Sequence, residues 1–241
     1  MDPLTLAAIG GAAFLASLLG SVTGSGATAV LLPVLVFYFG VRDSIPILTI
    51  ANLASNIGRV WFNRSEISGT VVRYFALGAV PLAIGGALIF VHTPAATLTR
   101  LLGVFLLVTV AWRRLRPTPP RINSAVWFAP LGAGFGLLSG LLEGIGPLMA
   151  PFFLSYGLLR GAYIGTDALS TVLMQVPKLA VFGRINILYD RILTNGIVIA
   201  PFMFLGAFAG KKIVSRISES QFALLIDLTL VVAGLNFLLP A

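Results

Sequence analysis

Long apolar stretches separated by short polar punctuation run through the whole chain. The first, residues 4–40, is too long for one simple span and is interrupted by Gly24-Ser25-Gly26 and by Pro33. Three plain stretches follow, at about 44–62, 74–91 and 98–112. After an arginine- and proline-rich link the order repeats: 125–156, broken around Gly144-Ile145-Gly146-Pro147, then 163–182, 187–209 and 220–239. Runs of this length predict membrane-spanning helices, and the lack of a two-residue alternation argues against a barrel.

The repeated order predicts two membrane repeats, 1–112 and 125–241, joined by a cytoplasmic linker at 113–124 whose prolines cannot continue a helix. Pro33 precedes Arg42 by nine residues, as Pro151 precedes Arg160. With the same offset of 118, Asn52 falls on Ser170 and Arg73 on Arg191; with 120, Gly24-x-Gly26 falls on Gly144-x-Gly146.

Composition sharpens the class. Apolar residues make up 58% of the chain and charged residues 10%. Soluble domains run about 45–50% apolar and roughly 25% charged, so too few charges remain to cover a water-facing surface. Disorder is excluded. With no Cys in the chain, so are a disulfide scaffold and thiolate metal sites. No cleavable signal peptide is expected, since the start Met1-Asp2-Pro3-Leu4 is acidic rather than basic.

The net charge of +8 would suggest nucleic acid in a soluble protein, but here the cations sit mainly between apolar runs and set orientation. If each broken stretch enters and leaves on one side, Arg64, Arg73, Arg113, Arg114, Arg116, Arg121, Arg160, Lys211, Lys212 and Arg216 lie inside. Arg42, Arg100, Arg184 and Arg191 lie outside, and Arg59 and Lys178 fall within spans. Three crossings per half is odd, so the copies are inverted and both termini face out. Reading each broken stretch as one kinked span instead gives parallel repeats and fits the charges less well. The expected fold is an all-α polytopic membrane protein of two inverted repeats, each a broken or re-entrant hairpin plus three helices, about six to eight spans.

Chemistry can reside in three features. The breaks at Ser25, Gly26 and Thr28 and at Gly144 and Gly146 would aim free backbone N–H groups and positive helix ends into a cavity, a site for an anion; close helix packing through small residues is the bland alternative. Polar stripes come next: Asn52, Ser55, Asn56 and Arg59 share one helical face, as do Asp167, Ser170, Thr171, Gln175 and Lys178. Amides, hydroxyls and one cation per stripe suit an oxyanion, although Arg59 and Lys178 could instead snorkel from helix ends. Third are the acids within apolar stretches. Glu143 beside the second break is a candidate for proton coupling, whereas Asp227 has no evident partner and a structural role stays open. Enzyme readings fare badly: His92 is the lone histidine, and no phosphate-binding Gly-x-x-x-x-Gly-Lys-Ser/Thr occurs. No cofactor and no metal site is expected.

The motifs Gly20-x-x-x-Gly24-Ser25-Gly26 with Leu32-Pro33-Val34-Leu35, and the run Ile50-Ala51-Asn52-Leu53-Ala54-Ser55-Asn56, resemble the sulfite exporter TauE/SafE family of membrane transporters. Gly140-x-x-x-Gly144-Ile145-Gly146-Pro147 with Pro151-Phe152-Phe153-Leu154 renews the resemblance in the second half. It implies export of sulfite, sulfoacetate or a related sulfonate by secondary transport across the cell membrane. The residues independently suggest an anion. The expected substrate site therefore comprises Ser25, Gly26, Thr28, Asn52, Asn56, Arg59, Gly144, Gly146, Ser170, Gln175 and Lys178, working by alternating access; an anion channel through the same pore is the alternative. Expected partners are the small anion and the lipid bilayer, with a homodimer left open and nucleic acid excluded.

Overall fold

The computed structural model describes residues 3–23, 26–115, 121–213 and 219–238. Its described elements are all helical: α1 (Pro3–Thr23), α2 (Gly26–Asn63), α3 (Gly69–His92), α4 (Ala95–Leu115), a short 3-10 turn (Ala125–Trp127), α5 (Phe128–Leu141), α6 (Gly146–Ser155), α7 (Arg160–Arg184), α8 (Asp190–Ile213) and α9 (Glu219–Leu238). Stretches of α2, α3, α4 and α8 are long and apolar enough to cross a membrane. The protein is a polytopic helical membrane protein.

Gly40 divides α2 into two arms, 26–39 and 41–63. Its φ of 73° and ψ of 164° are open to a residue without Cβ and strained for others. The second half has the same plan, with α6 and α7 as separate helices.

The second broken stretch is a hairpin. Phe128 at the start of α5 stacks on Phe153 near the end of α6, with centroids 5.2 Å apart, and meets Tyr156 edge-on at 5.4 Å. Both ends of the hairpin therefore lie at one level. At 14 and 10 residues, α5 and α6 reach about 21 and 15 Å, short of the roughly 30 Å hydrocarbon layer. Each arm alone is thus shorter than a full span. The side chains at the tip of the first broken stretch lie outside the described residues.

Packing partners map onto one another when the two halves are exchanged. The helix α3 packs on α5 and α8 on α1; the second arm of α2 packs on α8, and α7 on α3; α4 pairs with α9, and α2 with α7. The α2/α7 pair is antiparallel, since Asn56 meets Gln175 while Arg59 meets Asp167. So is α4/α9, where Gly103 abuts Gly234 and Arg114 reaches Asp227.

Close packing between α3 and α5 depends on glycines one turn apart. A Cβ on Gly132, Gly136 or Gly140 would collide with the backbone carbonyl of Phe75, Ala79 or Ala83 respectively. Without a hydrophobic force between helices in lipid, such close backbone approach supplies the attraction.

The two ends of the bundle differ in what they gather. At one end Glu66 lies against Gly161, and the Ser68 amide donates to Thr166 Oγ1 at 3.0 Å. At the other, Arg42 donates to the carbonyls of Val91 and Thr93 at 3.3 and 2.7 Å, and Arg191 lies over the Phe39 ring at 5.8 Å.

Candidate functional site

The two polar stripes face each other. Antiparallel packing of α2 on α7 turns two single-helix patterns into one polar seam through the apolar bundle. Along it Asn56 Nδ2 approaches Gln175 Oε1 at 3.5 Å, and Arg59 Nη1 approaches Asp167 Oδ2 at 3.9 Å. Asn52, Asn56, Ser170 and Gln175 are each no more than 5% exposed, so this part of the seam is closed to solvent, whereas the Arg59 side chain is 18% exposed.

One end of the seam meets the hairpin break. Lys178 is fully buried, and its ammonium donates to the carbonyls of Ser139 (2.6 Å) and Leu142 (3.0 Å) and to Glu143 Oε1 (3.0 Å). Three donors thus meet three acceptors. The carbonyls belong to the last turn of α5, where helix ends lack partners and the dipole favours a cation. Glu143 also accepts from the Thr49 hydroxyl at 2.7 Å and from Asn52 Nδ2 at 3.4 Å. The carboxylate lies just ahead of α6, where an anion is favoured, and Gly144 makes the turn at a φ of 87°. The C-terminal end of α5 is therefore served by Lys178, itself paired with Glu143.

Farther along the seam satisfaction is incomplete. Asn56 Oδ1, Asp167 Oδ1 and Ser170 Oγ are buried and have no hydrogen-bond partner. Buried polar atoms are nearly always paired, so three orphans within one seam call for an explanation.

Of the expected site residues, Asn52, Asn56, Arg59, Ser170, Gln175 and Lys178 share the seam, and Glu143, Gly144 and Gly146 form the break beside it. Ser25 lies outside the described residues, as does the side chain of Thr28; Gly26 is the first residue of α2. Two expectations are corrected. Lys178 does not snorkel from a helix end, because its ammonium is saturated by α5 and Glu143 inside the bundle. Asp227 has a partner after all: Arg114 Nε lies 2.7 Å from Oδ2, because α4 continues past the expected end of its apolar stretch and runs to Leu115. Thr49 extends the α2 stripe by one turn and was legible from the same spacing. The carbonyls of Ser139 and Leu142 carry no side-chain signal at all.

Two cavities lie away from the seam. One of about 780 Å³ opens between the first arm of α2 and α9, lined by Pro33, Phe37, Leu228 and Phe237; another of about 690 Å³ lies near Arg121 and Tyr156. Among the described residues, no group of His, Cys, Asp and Glu could hold a metal ion.

A family model described as Sulfite exporter TauE/SafE matches residues 9–237. No curated protein and no solved structure matches the chain.

Proposed function

The chain belongs to the sulfite exporter TauE/SafE family, and from that premise we propose that it is a secondary transporter exporting sulfite, sulfoacetate or a related sulfonate by alternating access. The family is one of membrane transporters of sulfur-containing anions. The observation that carries the finer reading is the polar seam between α2 and α7, with buried Asn56, Asp167 and Ser170 atoms left unpaired beside a cation at Arg59. Arg59, the Ser170 hydroxyl and the Asn56 and Gln175 amides supply donors for a group with several acceptor oxygens. Ser25, Gly26 and Thr28 of the first break are added to the proposed site from the sequence alone.

The burial of Asn52, Asn56, Ser170 and Gln175 supports alternating access, since a buried site binds and releases when the packed halves shift. The exchange-symmetric pairing, with α2 antiparallel to α7, supports inverted repeats that meet at the seam. The end that carries Arg64, Arg73, Arg121 and Arg160 faces the cytoplasm by the excess of cations there. In a cell membrane negative inside, expelling one negative charge gains about 2.3 kcal/mol per 100 mV.

Counterflow of radiolabelled sulfite or sulfoacetate in proteoliposomes tests the reading. Saturable exchange, accelerated by unlabelled substrate on the far side, is expected. Absence of exchange with any sulfur oxyanion would remove the assignment, and non-saturating flux with unitary currents would replace the carrier by a channel.

A further inference from the structure

Three acids within the described helices and breaks are buried, and they are held differently. Glu143 has Lys178 at 3.0 Å, Thr49 at 2.7 Å and Asn52 at 3.4 Å. Asp227 has Arg114 at 2.7 Å. Asp167 is 2% exposed, its Oδ2 has Arg59 at 3.9 Å, and its Oδ1 has no hydrogen-bond partner. The first two carboxylates are short-range ion pairs. The third differs in its longer ion pair, with the cation at 3.9 Å, and an ionised Asp167 leaves Oδ1 bare in a low-dielectric interior.

We propose that Asp167 binds a proton during transport and that its protonation releases Arg59 to the substrate, so that one proton and one sulfur anion occupy the seam together. This rests on the transport reading above and adds the coupling ion and its residue, which is not the Glu143 beside the break. Chemistry at three positions leads there. A protonated Asp167 becomes a donor, and the adjoining turn of the same helix face presents Ser170 Oγ, itself unpaired; Asn56 Oδ1 across the seam is a further open acceptor. Arg59 keeps its charge at all ordinary pH values, so once Asp167 is neutral that carboxylate no longer competes with an anionic substrate for the guanidinium. The substrate's sulfonate or sulfite oxygens take its place.

Charge balance makes the exchange cheap. In the closed seam Arg59 and ionised Asp167 sum to zero. With a proton on Asp167 and the sulfonate group on Arg59 the sum is again zero, leaving the carboxylate of the sulfoacetate dianion as the one charge carried outward, whereas a sulfonate without the proton adds a further negative charge to the bundle interior. Of the surrounding groups that titrate, Glu66 lies against Gly161 in the first turn of α7. On α7 itself Tyr163 lies one turn earlier and interacts electrostatically with Asp167. The helices α5 and α6 contain no titratable side chain. On α3, Arg73 is exposed and Tyr74 is half-buried. Among the described residues Arg59 is the charged group that acts on Asp167.

Binding of sulfoacetate to the full-length purified protein in detergent, by calorimetry at several pH values, tests the coupling. Sulfoacetate keeps one charge state between about pH 6 and 9, because carboxyl groups titrate near 4. Obligatory uptake of one proton weakens binding about tenfold per pH unit above the carboxyl's titration point. Asp167→Asn should bind with an affinity independent of pH, and Asp167→Glu should restore the slope. The wild-type protein should also take up one proton per anion in weakly buffered solution, a readout that needs no variant. PH-independent binding by the wild type, binding without proton uptake, or a wild-type slope in Asp167→Asn would each overturn the coupling while leaving the transporter reading in place. No sulfoacetate binding at any pH would overturn both.

Discussion

Lys178 Nζ lies 3.0 Å from Glu143 Oε1, with the lysine fully buried and the glutamate 5% exposed. The same ammonium closes the last turn of α5 through the Ser139 and Leu142 carbonyls. One side chain from α7 thus holds the tip of a hairpin that would otherwise end in open carbonyls and a lone buried carboxylate.

Removing that lysine should be costly. Lys178→Met leaves Glu143 charged without its cation and two carbonyls unpaired, a loss of about 3–5 kcal/mol. Thermal unfolding in detergent should show a marked fall in Tm, and Lys178→Met combined with Glu143→Gln should recover much of it. A single variant as stable as the wild type would mean that the ion pair is not what holds the hairpin tip.

Arg59 should act on substrate rather than on the fold. Its side chain is 18% exposed and its contact with Asp167 is long. A charge-assisted hydrogen bond is worth about 1.5–3 kcal/mol, so Arg59→Ala should raise the half-saturating sulfoacetate concentration in counterflow by roughly one to two orders of magnitude. Arg59→Lys should recover part of the loss. Unchanged flux in Arg59→Ala would take this residue out of the site.

The α3/α5 contact should tolerate no added carbon at its glycines. Gly140→Ala places a Cβ against the Ala83 carbonyl, the Ala87 amide and Gly86 Cα, all backbone, which cannot move aside as a side chain can. A cost of about 1–3 kcal/mol or more is expected, read as loss of monodisperse protein on size exclusion. Gly134→Ala, on the same helix but with nothing within 4 Å of the added carbon, should leave stability unchanged, which separates steric conflict from a general intolerance of substitution.

Topology is open to direct labelling because the chain contains no cysteine. Asn123→Cys and Leu159→Cys flank the α5/α6 hairpin and are exposed, as is Ala95→Cys at the opposite end of the bundle. An impermeant maleimide added to right-side-out cells should label Ala95→Cys, and the other two only after permeabilisation. Labelling of Asn123→Cys and Leu159→Cys from opposite sides would show that the hairpin crosses the membrane, against its length and its Phe128/Phe153 stacking.

Much of the architecture was legible without coordinates. Apolar runs of spanning length announced the helices, and Gly144-Ile145-Gly146-Pro147 announced the second break, because bilayer thickness and helix-breaking residues act locally. The stripes were legible for the same reason: Asn52, Asn56 and Arg59 share a face through the 3.6-residue period alone. The partner of Asp227 was not, since Arg114 lies more than a hundred residues away and the continuation of α4 past Trp112 into an arginine run has no hydropathy signal. The importance of Ser139 was hidden for a different reason. What Lys178 uses there is a main-chain carbonyl, which every residue possesses.

By itself, then, the sequence determined that this chain is a helical membrane protein with two similarly ordered halves, each with a polar face, since hydropathy, length and periodicity are properties of contiguous residues. Only the tertiary structure decided that the two faces meet, that Lys178 binds the hairpin tip while Arg59 lies 3.9 Å from Asp167, and that buried oxygens of Asn56, Asp167 and Ser170 in the seam lack hydrogen bonds. Those outcomes depend on which helices pack together and in which direction. The energy of a buried charge is set by the few groups within about 4 Å of it, and residues far apart in the chain supply most of them.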